Sequence, residues 1–229
     1  MTSLVSTLAR RTLLGFAQLI VALGIALFAP AWTLEFWQAW IYLVVFFASS
    51  ALITVDLWQK DPKLLERRVN AGPAAEKQRT QQLIQLIAAI AFIGILVVPS
   101  VDHRFGWSTV PVVVVIVGDV LVATGFFIVF LVFRENSYTA ATIEVAADQR
   151  VISTGPYAVV RHPMYAGALL LLFGTPLALG SWWGLLMFVA MTAVIGLRLL
   201  DEERFLVQKL PGYTEYCQDV RYRLIPFIW

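Results

Sequence analysis

The residues best suited to chemistry in this sequence lie in a short polar segment, GPYAVVRHPMYAG, at positions 155–167. This segment lies between two long apolar runs. His162-Pro163 predicts a helix start, because proline is tolerated in the first helical turn. The unpaired backbone N–H groups and the positive dipole of such a start suit the carboxylate or phosphate of a ligand. Contact with lipid headgroups is the plainer alternative, but the density of patterned residues favours a binding site.

A second polar cluster consists of Arg198, Glu202 and Glu203. Arg198 and Glu202 are i,i+4 and therefore share one face of a helix. The alternative is an ordinary ion pair at a helix end, which contributes little to stability. However, the apolar runs between the clusters predict a tight helical hairpin that brings Glu202 close to His162. Polar groups beside a bilayer are costly unless they have a role, so the two clusters together predict a functional site.

The elements that must position these clusters are membrane spans. Of the 229 residues, 59% are hydrophobic, whereas a soluble domain has about 45–50%. A spanning helix needs about 20 mostly apolar residues, so we predict an all-α integral membrane protein with about six spans. The predicted spans are Leu13–Pro30, Phe36–Val55, Leu83–Val98, Val110–Phe133, Tyr165–Leu179 and Trp182–Leu200. The fifth is short, and it forms the C-terminal hairpin with the sixth.

The basic residues are distributed so that they indicate an orientation. All of the 17 Lys and Arg residues except Arg104 fall on one side of the predicted membrane. The positive-inside rule assigns that side to the cytoplasm, so both termini and both polar clusters are predicted to be cytoplasmic. The run after Arg10-Arg11 has features of a signal peptide ending near Ala29, but its length and the spans that follow favour a retained anchor.

Composition also argues against two classes of protein. A single Cys and two His are too few for a structural zinc site, and no metal is expected. The net charge of +2, without a basic arm, argues against a nucleic-acid partner.

Three further features leave alternatives open. Asp119 lies in the fourth span and is a functional candidate, unless another helix supplies a partner or the carboxyl group is protonated. The segment Arg134–Tyr138 either faces the cleft or forms a plain loop. The aromatic and basic tail, residues 211–229, either lies on the membrane surface as an amphipathic segment or folds back as a lid.

Together these motifs resemble the isoprenylcysteine carboxyl methyltransferase family and the related phospholipid N-methyltransferases. The similarity lies in Gly-Pro-Tyr at 155–157, Arg-His-Pro-Met-Tyr at 161–165, the Arg198 cluster, and Arg-Leu-Ile-Pro-Phe at 223–227. The resemblance implies an S-adenosylmethionine (SAM) donor held without a Rossmann domain, and the sequence contains no Gly-x-Gly. It implies that the donor is bound by Gln149, Val151, Ile152, Tyr157, His162, Pro163, Met164, Tyr165 and Glu202, and that Arg198 and Glu203 are catalytic.

Because the donor is water-soluble and the surroundings are apolar, we expect a lipidic or prenylated methyl acceptor that arrives laterally from the bilayer. Residues 81–229 are the predicted methyltransferase core. Residues 1–80 then form two spans and a basic linker, Asp61–Arg79. A carboxylate acceptor needs no base. A phospholipid amine needs one, for which Glu203 and Asp119 are candidates, and a small thiol must become a thiolate, which Arg198 would stabilise.

Two other functions remain open. Membrane sterol and steroid reductases, which use NADPH, also carry His-Pro-x-Tyr and an acidic cluster, although Met164 favours the methyltransferase. A transporter or assembly factor that uses Asp119 as a polar relay is the third interpretation. It explains the fourth span but neither polar cluster. The sequence does not indicate the oligomeric state.

Overall fold

The computed structural model describes residues 2–69, 79–139 and 149–229. Within these ranges the regular elements are all helical, which confirms the predicted fold class. They are α1 (Thr2–Ala31), α2 (Trp37–Lys60), α3 (Pro62–Val69), α4 (Arg79–Phe105), α5 (Val112–Glu135), α6 (Pro163–Ala178), α7 (Gly184–Lys209) and α8 (Tyr213–Asp219). A 3₁₀ turn over Gly155–Ala158 precedes α6.

Five helices of the described ranges are long and apolar enough to cross a membrane. The spans are Leu8–Ala31, Trp37–Lys60, Leu83–Phe105, Val112–Glu135 and Gly184–Lys209. The predicted fifth span differs, because α6 has only 16 residues. At a rise of 1.5 Å per residue it is about 24 Å long, shorter than a hydrocarbon core of about 30 Å. It packs between α5 and α7, so neighbouring helices cover it.

The predicted linker Asp61–Arg79 contains a helix that its hydrophilic composition did not suggest. Pro62 occupies the first turn of α3, and Asp61 Oδ1 accepts a hydrogen bond from the Leu64 backbone N–H at 3.0 Å, which is the geometry of an N-cap. Leu64 and Leu65 are buried and hold α3 against the end of the bundle. Residues 70–78 of the linker lie outside the described residues.

Helices α5 and α6 approach each other so closely that their glycines are required. A Cβ atom at Gly118 would lie 2.2 Å from the Ala178 backbone nitrogen, and one at Gly125 would lie 2.6 Å from the Gly167 carbonyl oxygen. Gly174 likewise faces the Gly118 carbonyl oxygen, at 2.7 Å from its would-be Cβ. Backbone therefore packs directly on backbone, and this contact fixes the position of α6 against α5.

At one end of the bundle, Asp102 connects α4 to Ser108 and Ser181. Asp102 is buried on α4. Its carboxylate accepts hydrogen bonds from the Ser108 backbone N–H at 2.7 Å and the Ser108 hydroxyl at 2.5 Å. It also accepts one from the hydroxyl of Ser181, in the turn between α6 and α7. These bonds explain why α4 continues past the predicted boundary at Val98. We call this the closed end, and the end that carries the polar clusters the site end.

Candidate functional site

A cavity of about 710 Å³ opens at the site end, where the two polar clusters meet. Cofactor and small-molecule sites usually measure about 300–1,000 Å³. All but one of the predicted site residues line this cavity, namely Gln149, Val151, Ile152, Tyr157, His162, Pro163, Met164, Tyr165, Arg198 and Glu202. The hairpin of α6 and α7 thus brings the clusters together, as the sequence predicted. The role of each residue in binding stays a prediction.

The turn before α6 is held in place by the C-terminal tail. His162 is the N-cap residue of α6. The backbone N–H groups of Arg161 and His162 donate to the carbonyl oxygens of Tyr222 and Arg223, each at 2.9 Å. Of the two predicted positions of the tail, the structure therefore has the one in which it folds back onto the site.

Glu203 is the predicted site residue that does not line the cavity. It is buried, and its Oε1 lies 3.1 Å from Arg161 Nε and 3.3 Å from His162 Nε2. Its Oε2 accepts a hydrogen bond from Arg223 Nε at 2.7 Å. A carboxylate at the centre of three basic side chains, behind the cavity wall, is suited to fixing α7, the turn and the tail relative to one another.

Glu202 belongs to a chain of hydrogen bonds along the cavity wall. The Tyr165 hydroxyl donates to Glu202 Oε2 at 2.5 Å, and Arg198 Nε donates to the Tyr165 oxygen at 3.1 Å. Three side chains from α6 and α7 are thereby held in one arrangement. Consecutive residues on a helix point about 100° apart, so Glu202 faces the cavity while Glu203 faces the tail.

Tyr157 also lines the cavity and is fixed at both ends. Its hydroxyl oxygen accepts a hydrogen bond from Asn136 Nδ2 at 3.0 Å, and its carbonyl oxygen accepts one from the Tyr216 hydroxyl at 2.7 Å. Burial raises the pKa of Tyr157 to about 12, so the phenol is neutral at physiological pH. Because Asn136 and Tyr138 line the cavity, the segment after α5 faces the cleft rather than forming a plain loop.

The 3₁₀ turn that carries Tyr157 depends on Gly155. Its φ of 56° lies in the left-handed region, and a Cβ atom there would lie 2.9 Å from Glu135 Oε2. The Glu135 carboxylate in turn accepts a hydrogen bond from the Thr154 hydroxyl. Only glycine satisfies both the backbone angle and the approach of the carboxylate.

Part of the cavity wall was missed by the sequence reasoning. An apolar portion is formed by Ile84, Ala88, Ala89 and Phe92 of α4, with Ala168 of α6 and Met191 of α7. Helical spacing of residues 84, 88 and 92 could have indicated one face of α4, but not that this face meets the site. Arg68 of α3 also lines the cavity, from a segment that was predicted to be a linker.

Asp119 lies away from the cavity. It is buried on α5, and its Oδ1 has no hydrogen-bond partner among the described residues. Glu135 ends the same helix near the site, and the rise of 1.5 Å per residue puts the two about 24 Å apart along the axis. Asp119 is not among the described residues that line the cavity.

Comparison with known proteins confirms the resemblance of the motif-bearing region. Residues 113–211 match the family model described as phospholipid methyltransferase. The match extends from α5 to just beyond α7 and includes both polar clusters. It supports a membrane methyltransferase.

The chain is also similar to a Delta(14)-sterol reductase, TM7SF2, of Mus musculus. The two are 29% identical over 93 residues, which make up 38% of this chain and 22% of that protein. The matched part of the chain thus spans about a fifth of the reductase.

Proposed function

We propose that this protein is a SAM-dependent membrane methyltransferase that methylates a carboxylate of a lipidic or prenylated acceptor. The observation that carries the proposal is the position of the two motif clusters. Both belong to the segment that matches the phospholipid methyltransferase model, and each contributes side chains to the wall of a single cavity. A donor shared by related enzymes is expected to be bound by the segment that they share.

The residues around the cavity fit such a donor. SAM has an amino acid part with one carboxylate and one ammonium group, a ribose and an adenine. The start of α6 at His162-Pro163 suits the carboxylate, because a helix N-terminus offers backbone donors and a positive dipole. Glu202 would accept hydrogen bonds from the ammonium or the ribose hydroxyls. Met164 and Val151 offer apolar surface to the adenine.

The residues also fit the proposed reaction. When bound, SAM would supply a methyl group on a positively charged sulfur; an acceptor oxygen would bond to that methyl carbon in line as the C–S bond breaks and the neutral thioether leaves. Arg198, held by its bond to Tyr165, would bind and orient an acceptor carboxylate. Because a carboxylate has no proton to lose, the remaining tasks of the protein are to position the reactants and exclude water.

An amine acceptor fits the site less well. It needs a base within reach of its proton. Glu203 lies behind the wall among Arg161, His162 and Arg223, and Asp119 is distant. A small thiol acceptor would need only stabilisation of its thiolate and would leave the apolar wall without an evident use.

The apolar wall supports an acceptor with a hydrocarbon chain. Ile84, Ala88 and Phe92 lie on α4, within one of the spans that reach the bilayer. A chain bound against them would enter laterally from the membrane, while the polar part of the cavity takes the water-soluble donor. Because the donor is made in the cytoplasm and basic residues surround the site end, we place this end on the cytoplasmic side.

The similarity to a Delta(14)-sterol reductase favours a second candidate, an NADPH-dependent reductase of a lipid. It accounts for the same His-Pro turn and acidic cluster. The match covers only 22% of that protein, however, and Arg161-His162-Pro163-Met164-Tyr165 is the form that resembles the methyltransferases.

Calorimetry on the purified protein in lipid nanodiscs separates the two candidates. We expect saturable binding of SAM and no heat of binding with NADPH. Glu202→Gln should weaken SAM binding about tenfold or more, because it removes a charged acceptor. Glu215→Gln, which makes the same change at an exposed position of α8, should bind like the wild type. Binding of NADPH without SAM would overturn the proposal.

Transfer of a tritiated methyl group from SAM to a farnesylated cysteine then tests the acceptor class. The product should be a base-labile methyl ester. A base-stable product formed instead with phosphatidylethanolamine would identify an amine acceptor and exclude the carboxylate.

A further inference from the structure

Arg68 reaches the cavity from a well-anchored helix. Besides the cap at Asp61, α3 is tied to the segment after α5, since the Arg67 guanidinium donates to the Ser137 carbonyl oxygen. The Arg68 guanidinium lies 4.9 Å from the centroid of the Phe133 ring, a distance typical of a cation–π contact. Arg68 is therefore held at the cavity wall rather than extended into solvent.

Among the described residues that line the cavity, positive charges outnumber negative ones. Its described residues include four arginines and one carboxylate, namely Arg68, Arg150, Arg161, Arg198 and Glu202. Arg161 is paired with Glu203. Arg68 has no carboxylate of the described ranges within ion-pair distance. Burial lowers the pKa of Arg68, but a guanidinium stays charged in proteins.

Among the described residues no carboxylate offsets the charge of Arg68. A partly buried cation of this kind is costly, and a bound anion lowers that cost. The proposed donor does not supply the missing charge, because SAM carries two positive groups and one negative group. The start of α6 already suits its single carboxylate. The balancing anion is therefore expected on the acceptor.

The position of Arg68 in the sequence also indicates that it contacts the acceptor rather than the donor. The segment that matches the methyltransferase family covers residues 113–211, and Arg68 lies outside it. Residues that bind a common donor are expected inside the common segment, whereas residues that select an acceptor can differ and lie elsewhere. Arg68 also comes from α3, which packs on α1 and α2, while Arg198 comes from α7 on α4 and α6.

We propose that Arg68 determines acceptor specificity by binding an anionic group, phosphate or carboxylate, of an amphiphilic acceptor. This inference rests on the proposed methyltransferase function and extends it. A guanidinium can form paired hydrogen bonds with either group. The acceptor would lie with its anion at Arg68, its hydrocarbon chain against Phe92 and Ala88, and its reacting atom near Arg198.

Binding without the donor tests the inference independently of methyl transfer. The probes are dodecyl phosphate, dodecanoate and dodecanol, added to the protein in phosphatidylcholine nanodiscs and followed by intrinsic tryptophan fluorescence. We expect at least one anion to bind about tenfold or more tightly than dodecanol, and the tighter anion identifies the acceptor group. Arg68→Gln should lower this preference about fivefold or more, with Arg198 accounting for what remains, and Arg68→Lys should retain more of it than Arg68→Gln.

Lys63→Gln is the matched control, because it removes one positive charge from an exposed position on the same helix. It should keep the preference for the anion. Equal binding of all three probes by the wild type, or an unchanged preference in Arg68→Gln, would overturn the inference.

The affinity for SAM is measured in parallel. Arg68→Gln should bind SAM within about twofold of the wild type while the KM of an anionic acceptor rises about tenfold. A matching loss of SAM affinity would assign Arg68 to the donor and refute its role in specificity. Wild-type protein that neither binds SAM nor methylates an acceptor, yet prefers anions through Arg68, would refute the methyltransferase and retain the anion site.

Discussion

Glu203 Oε2 and Arg223 Nε are joined by a 2.7 Å hydrogen bond that connects α7 to the C-terminal tail. The other oxygen of Glu203 lies close to Arg161 and His162 in the turn before α6. One buried carboxylate thus holds three parts of the chain that are distant in sequence. Removing one partner of a buried ion cluster leaves the remaining charges uncompensated, at a cost of about 3–5 kcal/mol.

Glu203→Gln is therefore expected to lower the free energy of unfolding by about 3 kcal/mol and to loosen the tail. Thermal unfolding in detergent and limited proteolysis near Arg223 measure the two effects. Glu215→Gln serves as the control and should unfold like the wild type. A Glu203→Gln protein with wild-type stability but no turnover would instead show that Glu203 acts directly as a base.

Tyr157→Phe should weaken donor binding about fivefold, because it removes the hydroxyl that accepts a hydrogen bond from Asn136. The loss should be constant from pH 6 to about pH 9, since burial raises the pKa of Tyr157 to about 12 and the phenol stays neutral. The ordinary pKa is 10.0, so the protonated phenol stabilises the folded state below pH 10. That contribution is lost as the pH rises toward 12. Calorimetry with SAM across this range checks the expectation, and a loss that varies between pH 6 and 9 would contradict it.

Gly118→Ala and Gly196→Ala form a matched pair that tests the contact between α5 and α6. A Cβ atom at Gly118 would collide with backbone of α6, whereas one at Gly196 would meet nothing within 4 Å. We expect Gly118→Ala to destabilise the protein by about 2 kcal/mol or more through overpacking. Gly196→Ala should be neutral or stabilising by up to about 1 kcal/mol. Denaturant unfolding in mixed micelles compares them, and equal stability of the two variants would mean that the helices are not this close.

The orientation of the site end can be tested by labelling single cysteines. In a Cys217→Ser background, Glu215→Cys places a thiol at the site end and Glu35→Cys places one at the closed end. Both positions are exposed. An impermeant maleimide added to intact cells should label only the cysteine at position 35, and permeabilisation should add the one at position 215. The reverse pattern would put the site outside the cytoplasm.

The meeting of the two polar clusters was predictable, because a tight hairpin of two apolar runs leaves their outer ends side by side. The i,i+4 spacing also predicted that Arg198 and Glu202 share a face. It did not show that Glu203, one position further, turns toward the tail. That outcome depends on Arg223, whose position is set by long-range backbone hydrogen bonds that leave no trace in the sequence.

The first part of the chain was harder to interpret. Hydropathy alone ended the third span at Val98, whereas α4 continues to Phe105 because Asp102 is satisfied by Ser108 and Ser181. A buried polar group with distant partners looks like a boundary in the sequence. The position of Arg68 in the cavity also depends on long-range packing, in this case that of α3. The sequence therefore predicted only a linker there.

The backbone contacts between the tail and the start of α6 have a consequence for biosynthesis. Tyr222 and Arg223 leave the ribosome only after helices α1 to α7 have been made, and their carbonyl oxygens accept the hydrogen bonds of the Arg161 and His162 backbone N–H groups. A nascent chain arrested before these residues would insert its helices but keep two unpaired donors at the mouth of the cavity. Insertion into the bilayer and maturation of the site are therefore separate events, and the second is completed last.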